Sequence, residues 1–263
     1  MNRLVLTARK ARRALQDLRG YLDFDRHGND LVRRTDFTHC PRPVLLIYGF
    51  LGTRRSFEVI ERRLRRDGYC VFSVNLGGLF DAFNTRGIDE SAEKVRDKVE
   101  RLYARYSLGP LSIIGHSKGG LIGRYYVKRL GGDRRVQTLV TLASPHNGSP
   151  TAYLGLPLMG ALAPSIWQMT PMSPFIRRLK MGPFPEHVRF VSVYSKADRF
   201  CPFPAAMLET GSHENLANFE IPEVGHHEFL TKKRVYDLIA RELAHGEAAR
   251  RRSTLGVVGA SEG

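Results

Sequence analysis

The 263-residue chain is poor in several residue types that announce common protein classes. Its three cysteines, Cys40, Cys70 and Cys201, are odd in number and far apart, which argues against a disulfide framework or a thiolate metal site and favours a reducing compartment. No run approaches the roughly 18–20 consecutive apolar residues that a membrane-spanning helix needs. Met1 to Leu6 is a short apolar run, followed by Arg9, Lys10, Arg12 and Arg13 where a secretory peptide would carry small residues and a cleavage site. The expected location is cytoplasmic, with peripheral membrane contact left open. Acidic residues are scarce as well: 26 against 41 lysines and arginines give a formal net charge of +15, which draws a protein towards polyanions. The basic clusters at 62–66, 177–180, 232–234 and 250–252 come with no nucleic-acid motif and no aromatic platform, so no nucleic-acid partner is expected.

What is present is enough apolar residue, 42%, for one sizeable core. Leu4, Ala8, Ala11, Leu15 and Leu18 recur at helical steps within residues 1–20, a segment of net charge +5 (six basic residues less Asp17). This basic amphipathic helix could lie on an anionic bilayer or simply pack on the domain. From residue 43 the chain alternates between short apolar runs and helical periods. Strands are expected at 44–48, 69–74, 111–114, 136–142 and 188–194, and helices at 56–66, 90–106, after Ser117, and at 232–244. That alternation predicts a parallel sheet covered on both faces. Residues 1–42 form a lead-in, 43–245 the main domain, and 246–263 a polar tail expected to be disordered. The stretch 147–187 is too apolar for a solvated loop. It reads either as a cap over the carboxyl edge of the sheet, presenting Leu154, Leu158, Trp167 and Met169 to a substrate together with Leu51 from the first loop, or as additional core.

Gly115-His-Ser117-Lys-Gly119 is a G-x-S-x-G pattern, and with 25 glycines in the chain it would arise by chance roughly once in seven such sequences. Its context is more telling, because it follows an expected strand and opens an expected helix, the setting in which a sharp turn exposes a serine hydroxyl. A serine is a poor nucleophile at neutral pH and needs an imidazole base oriented by a carboxylate. Asp198 falls just beyond the end of a strand, where catalytic groups collect in open α/β sheets. His226 follows Gly225 in a loop before the last helix and is the expected base, with the adjacent His227 as the alternative. His116 is expected to point away from the nucleophile, and His146 to brace a loop. A tetrahedral oxyanion would need two backbone donors, assigned to the N–H groups of Phe50 and Lys118; side-chain identity at those positions is expected to be free.

Tyr48-Gly-Phe-Leu-Gly-Thr53, Gly115-His-Ser-Lys-Gly-Gly120 with Arg124-Tyr-Tyr126, Thr141-Leu-Ala-Ser-Pro-His-Asn-Gly-Ser149, Asp198 and Gly225-His226, in that order, resemble the bacterial triacylglycerol lipase and esterase branch of the α/β-hydrolases. The resemblance implies the α/β-hydrolase fold, a mostly parallel sheet with helices on both faces and a cap or lid insertion. It also implies an acyl-enzyme mechanism with no cofactor, acting on a lipid-like ester through Ser117, Asp198 and His226; a few relatives bind a structural calcium, but this chain has no acidic cluster assignable as ligands, so no metal is expected. The chain departs from the usual pattern at Tyr48, where a histidine is common, and at Lys118, where a methionine is frequent. Two other readings stand beside this one: an acyltransferase or thioesterase on the same residues, and a non-catalytic module that binds a membrane or a partner.

Overall fold

In the computed structural model, which describes residues 35–79 and 83–259, the apolar runs are laid side by side as one parallel sheet. Its strands are β1 (Pro43–Ile47), β2 (Cys70–Ser73), β5 (Leu111–His116), β6 (Val136–Leu142), β7 (Arg189–Tyr194) and β8 (Leu216–Glu220), in the spatial order β2-β1-β5-β6-β7-β8. A two-residue antiparallel pair, β3 (Gly78–Leu79) with β4 (Phe83–Asn84), stands apart from it. Every residue of β1, β5 and β6 is buried, as strands covered on both faces must be.

The covering helices are amphipathic. In α2 (Ile88–Arg105) the buried positions Ile88, Ala92, Val95, Val99 and Leu102 recur at steps of four and three, one face of a helix. This helix packs on α3 (Lys118–Arg129), which lies against β1, β5 and β6. The right-handed crossover rule puts α1 (Glu58–Arg66), which connects β1 to β2 in the opposite direction along the sheet, on the other face. There it meets α8 (Lys233–Gly259). From β1 the chain steps outward to β2 and then returns past β1 to β5. That reversal opens a crevice between the carboxyl ends of β1 and β5, the place where open α/β sheets bind ligands.

Several expectations are revised. The helix expected at 56–66 is a 3₁₀ turn, Arg54–Phe57, leading into α1. β8 was not legible as a strand: it is an edge strand, only partly buried. Its central Asn218 exchanges two hydrogen bonds with the Leu208 backbone, at 2.8 and 2.9 Å. The stretch 147–187 contains α4 (Ala152–Met159), α5 (Pro164–Gln168) and α6 (Pro174–Lys180), and it is buried in part and exposed in part. Ile166, Phe175, Ile176 and Leu179 are buried, whereas Tyr153, Leu154, Leu162, Trp167, Met172 and Met181 are the exposed large apolar side chains among the described residues. A short helix, α7 (Phe203–Ala206), follows β7. The basic helix expected over residues 1–20 lies outside the described residues.

Of the tail expected to be disordered, residues 260–263 lie outside the described residues, while 246–259 are corrected, because they continue α8. Two contacts explain why. Glu247 accepts a hydrogen bond from Arg42 at 3.0 Å, and Gly246 sits so close to β6 that a Cβ there would lie 1.9 Å from Thr138 Oγ1. A glycine in a helix normally costs about 1 kcal/mol relative to alanine, so Gly246→Ala would ordinarily stabilise. Here the clash reverses the sign. Urea unfolding should show Gly246→Ala destabilised by about 1–3 kcal/mol; an unchanged or raised midpoint would mean that the helix does not pack on the sheet at this point.

Candidate active site

The turn after β5 is shaped by what cannot fit there. A Cβ at Gly115 would lie 2.6 Å from the Gly120 backbone, one at Gly119 would lie 2.0 Å from Ile47 O, and one at Gly120 would lie 2.1 Å from Ser144 Oγ. These glycines let the strand-to-helix turn press against the end of β1. Ser117, the residue at the apex, takes φ 54° and ψ −125°, a conformation that L-residues rarely adopt and that persists only where the surroundings enforce it. It sits at the N-terminus of α3, whose first N–H groups, that of Lys118 among them, have no acceptor inside the helix. Leu51, in the facing loop after β1, also has a positive φ, 53°.

Beyond β7, Asp198 is almost wholly buried and its two carboxylate oxygens have separate tasks. Oδ1 accepts the backbone N–H groups of Phe200 and Cys201 at 2.8 and 3.0 Å, while Oδ2 accepts from His226 Nδ1 at 2.7 Å. A carboxylate locked by two backbone donors can orient an imidazole held at its other oxygen. Both the acid turn and the histidine loop are fixed to Ser195, whose Oγ accepts the N–H groups of Ala197 and Val224 at 3.1 and 3.2 Å. Of the two adjacent histidines, it is His226 that pairs with Asp198.

Ser117, His226 and His227 line one cavity of about 290 Å³, together with Phe50, Leu51, Thr53, His116 and Leu230. Ser117 Oγ makes no hydrogen bond there with any described residue. Of the side chains expected to contact substrate, Leu51 belongs to this cavity and three do not. Leu154 and Trp167 point to solvent, 81% and 57% exposed, the indole N–H donating to Gly160 O at 3.0 Å, and Met169 is part of the core. The Leu158 side chain is outside the described residues. The apolar composition of 147–187 signalled burial or a greasy surface, and it carried no information about which side chains face the serine.

Two readings of polar residues change. His116 does not turn away: its Nε2–H donates to the His226 carbonyl at 2.9 Å and its ring lies 4.7 Å from the His226 ring, centroid to centroid. It braces His226 from behind. Nor is the side chain at Lys118 free to vary, because it is fully buried and its ammonium group is hydrogen-bonded to the β4 region. His146 does brace a loop, donating through Nε2 to Thr141 Oγ1 at 2.9 Å while that hydroxyl donates to Val191 O. Among the described residues no group of three or more His, Cys, Asp or Glu side chains could hold a metal ion.

Comparison with known proteins agrees with this fold. The family described as alpha/beta hydrolase fold matches residues 42–171. A triacylglycerol lipase of Pseudarthrobacter phenanthrenivorans is 31% identical over 118 residues, 42% of this chain and 35% of that protein. A GPI inositol-deacylase of Candida albicans is 26% identical over 178 residues, 61% of this chain and 39% of that protein. The chain therefore spans little more than a third of the length of these relatives. Among solved structures, the mature form of a Bacillus licheniformis lipase covers 82% of this chain and 96% of its own, with a TM-score of 0.62 at 13% identity, a likeness of fold.

The histidines around the site give the protein an acid limit. Burial, reinforced by the neighbouring His226, pushes His227 down to about 4, and burial likewise holds His116 and His146 well below the usual imidazole value. Each is neutral in the folded chain, while the unfolded chain takes up the proton first, at a pH of about 6.5. The stability these groups contribute is therefore whole above pH of about 6.5 and is lost as the pH falls from there towards 4. Unfolding free energy should drop by about 1.4 kcal/mol per pH unit for each such histidine in that window, and His146→Asn should flatten the slope by one proton. Urea titrations between pH 7 and 4.5 check this; a flat dependence would contradict it.

Proposed function

Because residues 42–171 match the family described as alpha/beta hydrolase fold and the sheet has that fold, we propose that the chain cleaves carboxylic esters of lipid-like substrates, with Ser117 as nucleophile, His226 as general base and Asp198 as the carboxylate that orients the base. The observation that carries the reading is the 2.7 Å bond from His226 Nδ1 to Asp198 Oδ2 on the wall of the cavity into which Ser117 opens. With Nδ1–H committed to the carboxylate, Nε2 carries the lone pair that can take the serine proton. Substrate-free active sites often hold the serine and imidazole further apart than a Michaelis complex does.

In this mechanism Ser117 Oγ attacks the ester carbonyl as its proton passes to His226 Nε2. The tetrahedral oxyanion is held by the N–H groups of Lys118 and Phe50. The intermediate collapses with loss of the alcohol, which takes the proton from His226, and leaves an acyl-serine. Water, deprotonated by the same imidazole, then releases the carboxylic acid and regenerates the serine. Asp198 stays ionised throughout and stabilises the imidazolium.

Two features support a lipid-like substrate. The relatives include one named for triacylglycerols and one for removal of an acyl group from inositol. The exposed apolar side chains are concentrated between Tyr153 and Met181, within a stretch, 134–185, that contains no aspartate or glutamate. With Arg177, Arg178 and Lys180 in that same stretch, the surface is apolar and basic, suited to an anionic lipid interface. Hydrolysis of p-nitrophenyl esters of graded acyl length is the test. Ser117→Ala should lower kcat/KM by about 10³-fold or more while the protein remains folded; full activity in that variant would end the proposal.

A further inference from the structure

The buried ammonium group directly after the nucleophile is not explained by a role for backbone alone. Lys118 is fully buried, and its Nζ is surrounded by oxygen: Asn84 Oδ1 at 2.7 Å, Asn84 O at 3.1 Å and Arg86 O at 2.5 Å. Three acceptors match the three hydrogens of an ammonium group. None of the three is a carboxylate, and burial pushes this group well below its usual value, with Glu90 and then Asp89 of α2 opposing that from further away. A methionine at this position could make none of these three hydrogen bonds.

Asn84 is the second half of the connection. While its carbonyl side accepts from Lys118, its Nδ2 donates to Tyr48 O at 2.9 Å, and Tyr48 is the last residue before the Gly49-Phe50 loop. The Tyr48 hydroxyl is fixed in turn by the Leu76 N–H at 2.9 Å. Gly119, next to Lys118, is already pressed against the backbone of Ile47 and Tyr48, so the turn after β5 and the loop after β1 are neighbours. The amide of Asn84 grips both of them through side-chain hydrogen bonds.

We propose that the Lys118 side chain and Asn84 are positioning residues that set the separation of the two oxyanion donors, the N–H of Lys118 on one arm and the N–H of Phe50 on the other. The inference rests on the ester hydrolase reading above and adds a side-chain device to it. Backbone donors stabilise a tetrahedral oxygen only when both reach it at once, and a displacement of about an ångström can cost up to a hundredfold in rate. The same strap reaches the cap, since Thr85 O accepts from Ser165 Oγ at 3.2 Å, so a shift of α5 would be felt at the donors through residues 84–86.

The test compares wild type with Lys118→Met, which keeps length and removes all three donors, and Asn84→Asp, which keeps acceptors for the ammonium, removes the donor to Tyr48 O and places a carboxylate charge beside the ammonium. Steady-state hydrolysis of p-nitrophenyl butyrate and the second-order rate of Ser117 labelling by a fluorophosphonate are measured for each, with thermal unfolding as the check on folding. Both variants should lose about ten- to a hundredfold in kcat and in labelling rate, with KM within about threefold of wild type. The double variant should be no worse than about threefold below the weaker single, because the two act through one linkage. Should Lys118→Met fail to fold, Asn84→Asp carries the test alone, since its buried ammonium group stays satisfied. Folded variants that react within about threefold of a labelled wild type would overturn the inference and leave the hydrolase reading intact. A folded wild type that neither hydrolyses the ester nor labels would overturn the hydrolase reading itself, and the inference with it.

Discussion

A carboxylate taken out of water is costly unless each of its oxygens is met, and the way Asp198 is met organises the carboxyl edge of this sheet. Two backbone N–H groups from its own turn saturate one oxygen and leave the other to a single partner, Nδ1 of His226. Everything nearby serves that pairing. Ser195 ties the Asp198 turn to the segment before the histidine, Glu228 receives the Gly225 N–H at 2.8 Å, and His116 holds the His226 carbonyl from the side of the Ser117 turn. The backbone that carries the ring is thereby held at three points, and the ring itself by the Asp198 bond.

The same edge shows how backbone approach substitutes for side-chain chemistry. Gly115, Gly119 and Gly120 permit contacts that a methyl group would forbid, and the resulting closeness of β1 and β5 brings the serine turn to the loop that faces it. Because β1 and β5 flank the point where the strand order reverses, the crevice between them follows from topology. The stability of the buried sheet underwrites the strained φ of Ser117, since a residue held at +54° returns to an ordinary conformation if the surrounding packing loosens.

The parallel sheet could be read from the alternation of apolar runs and helical periods because its central strands are buried on both faces and so carry uninterrupted Val, Leu and Ile. β8 could not, since an edge strand with Asn218 at its centre has neither an apolar run nor a clean alternation. The identities of Ser117, Asp198 and His226 as the candidate site residues were legible from position relative to strand ends. The choice between His226 and His227 was not, because a one-residue difference in a loop changes no periodic signal. Contacts made by long side chains over distance in sequence stayed hidden: Lys118 looked like a free position because nothing local to it announces Asn84 or Arg86, more than thirty residues earlier. The tail was misjudged for a similar reason, its polar composition concealing the close fit of Gly246 to Thr138. The apolar insertion gave a correct sense of greasiness and no orientation, so Leu154, Trp167 and Met169 were placed at a cavity they do not reach.

The account turns on Asp198 holding the imidazole in the tautomer that leaves Nε2 free. Replacing its carboxylate by a carboxamide of the same shape keeps the packing and lets the amide face Nδ1 with a donor, which forces the wrong tautomer. The kcat of ester hydrolysis by Asp198→Asn, measured at pH 7.5 on protein shown to be folded by circular dichroism, is the most direct measurement. A fall of about 10³- to 10⁴-fold is predicted; a value within about tenfold of wild type would contradict the assignment of this pair as the heart of the site.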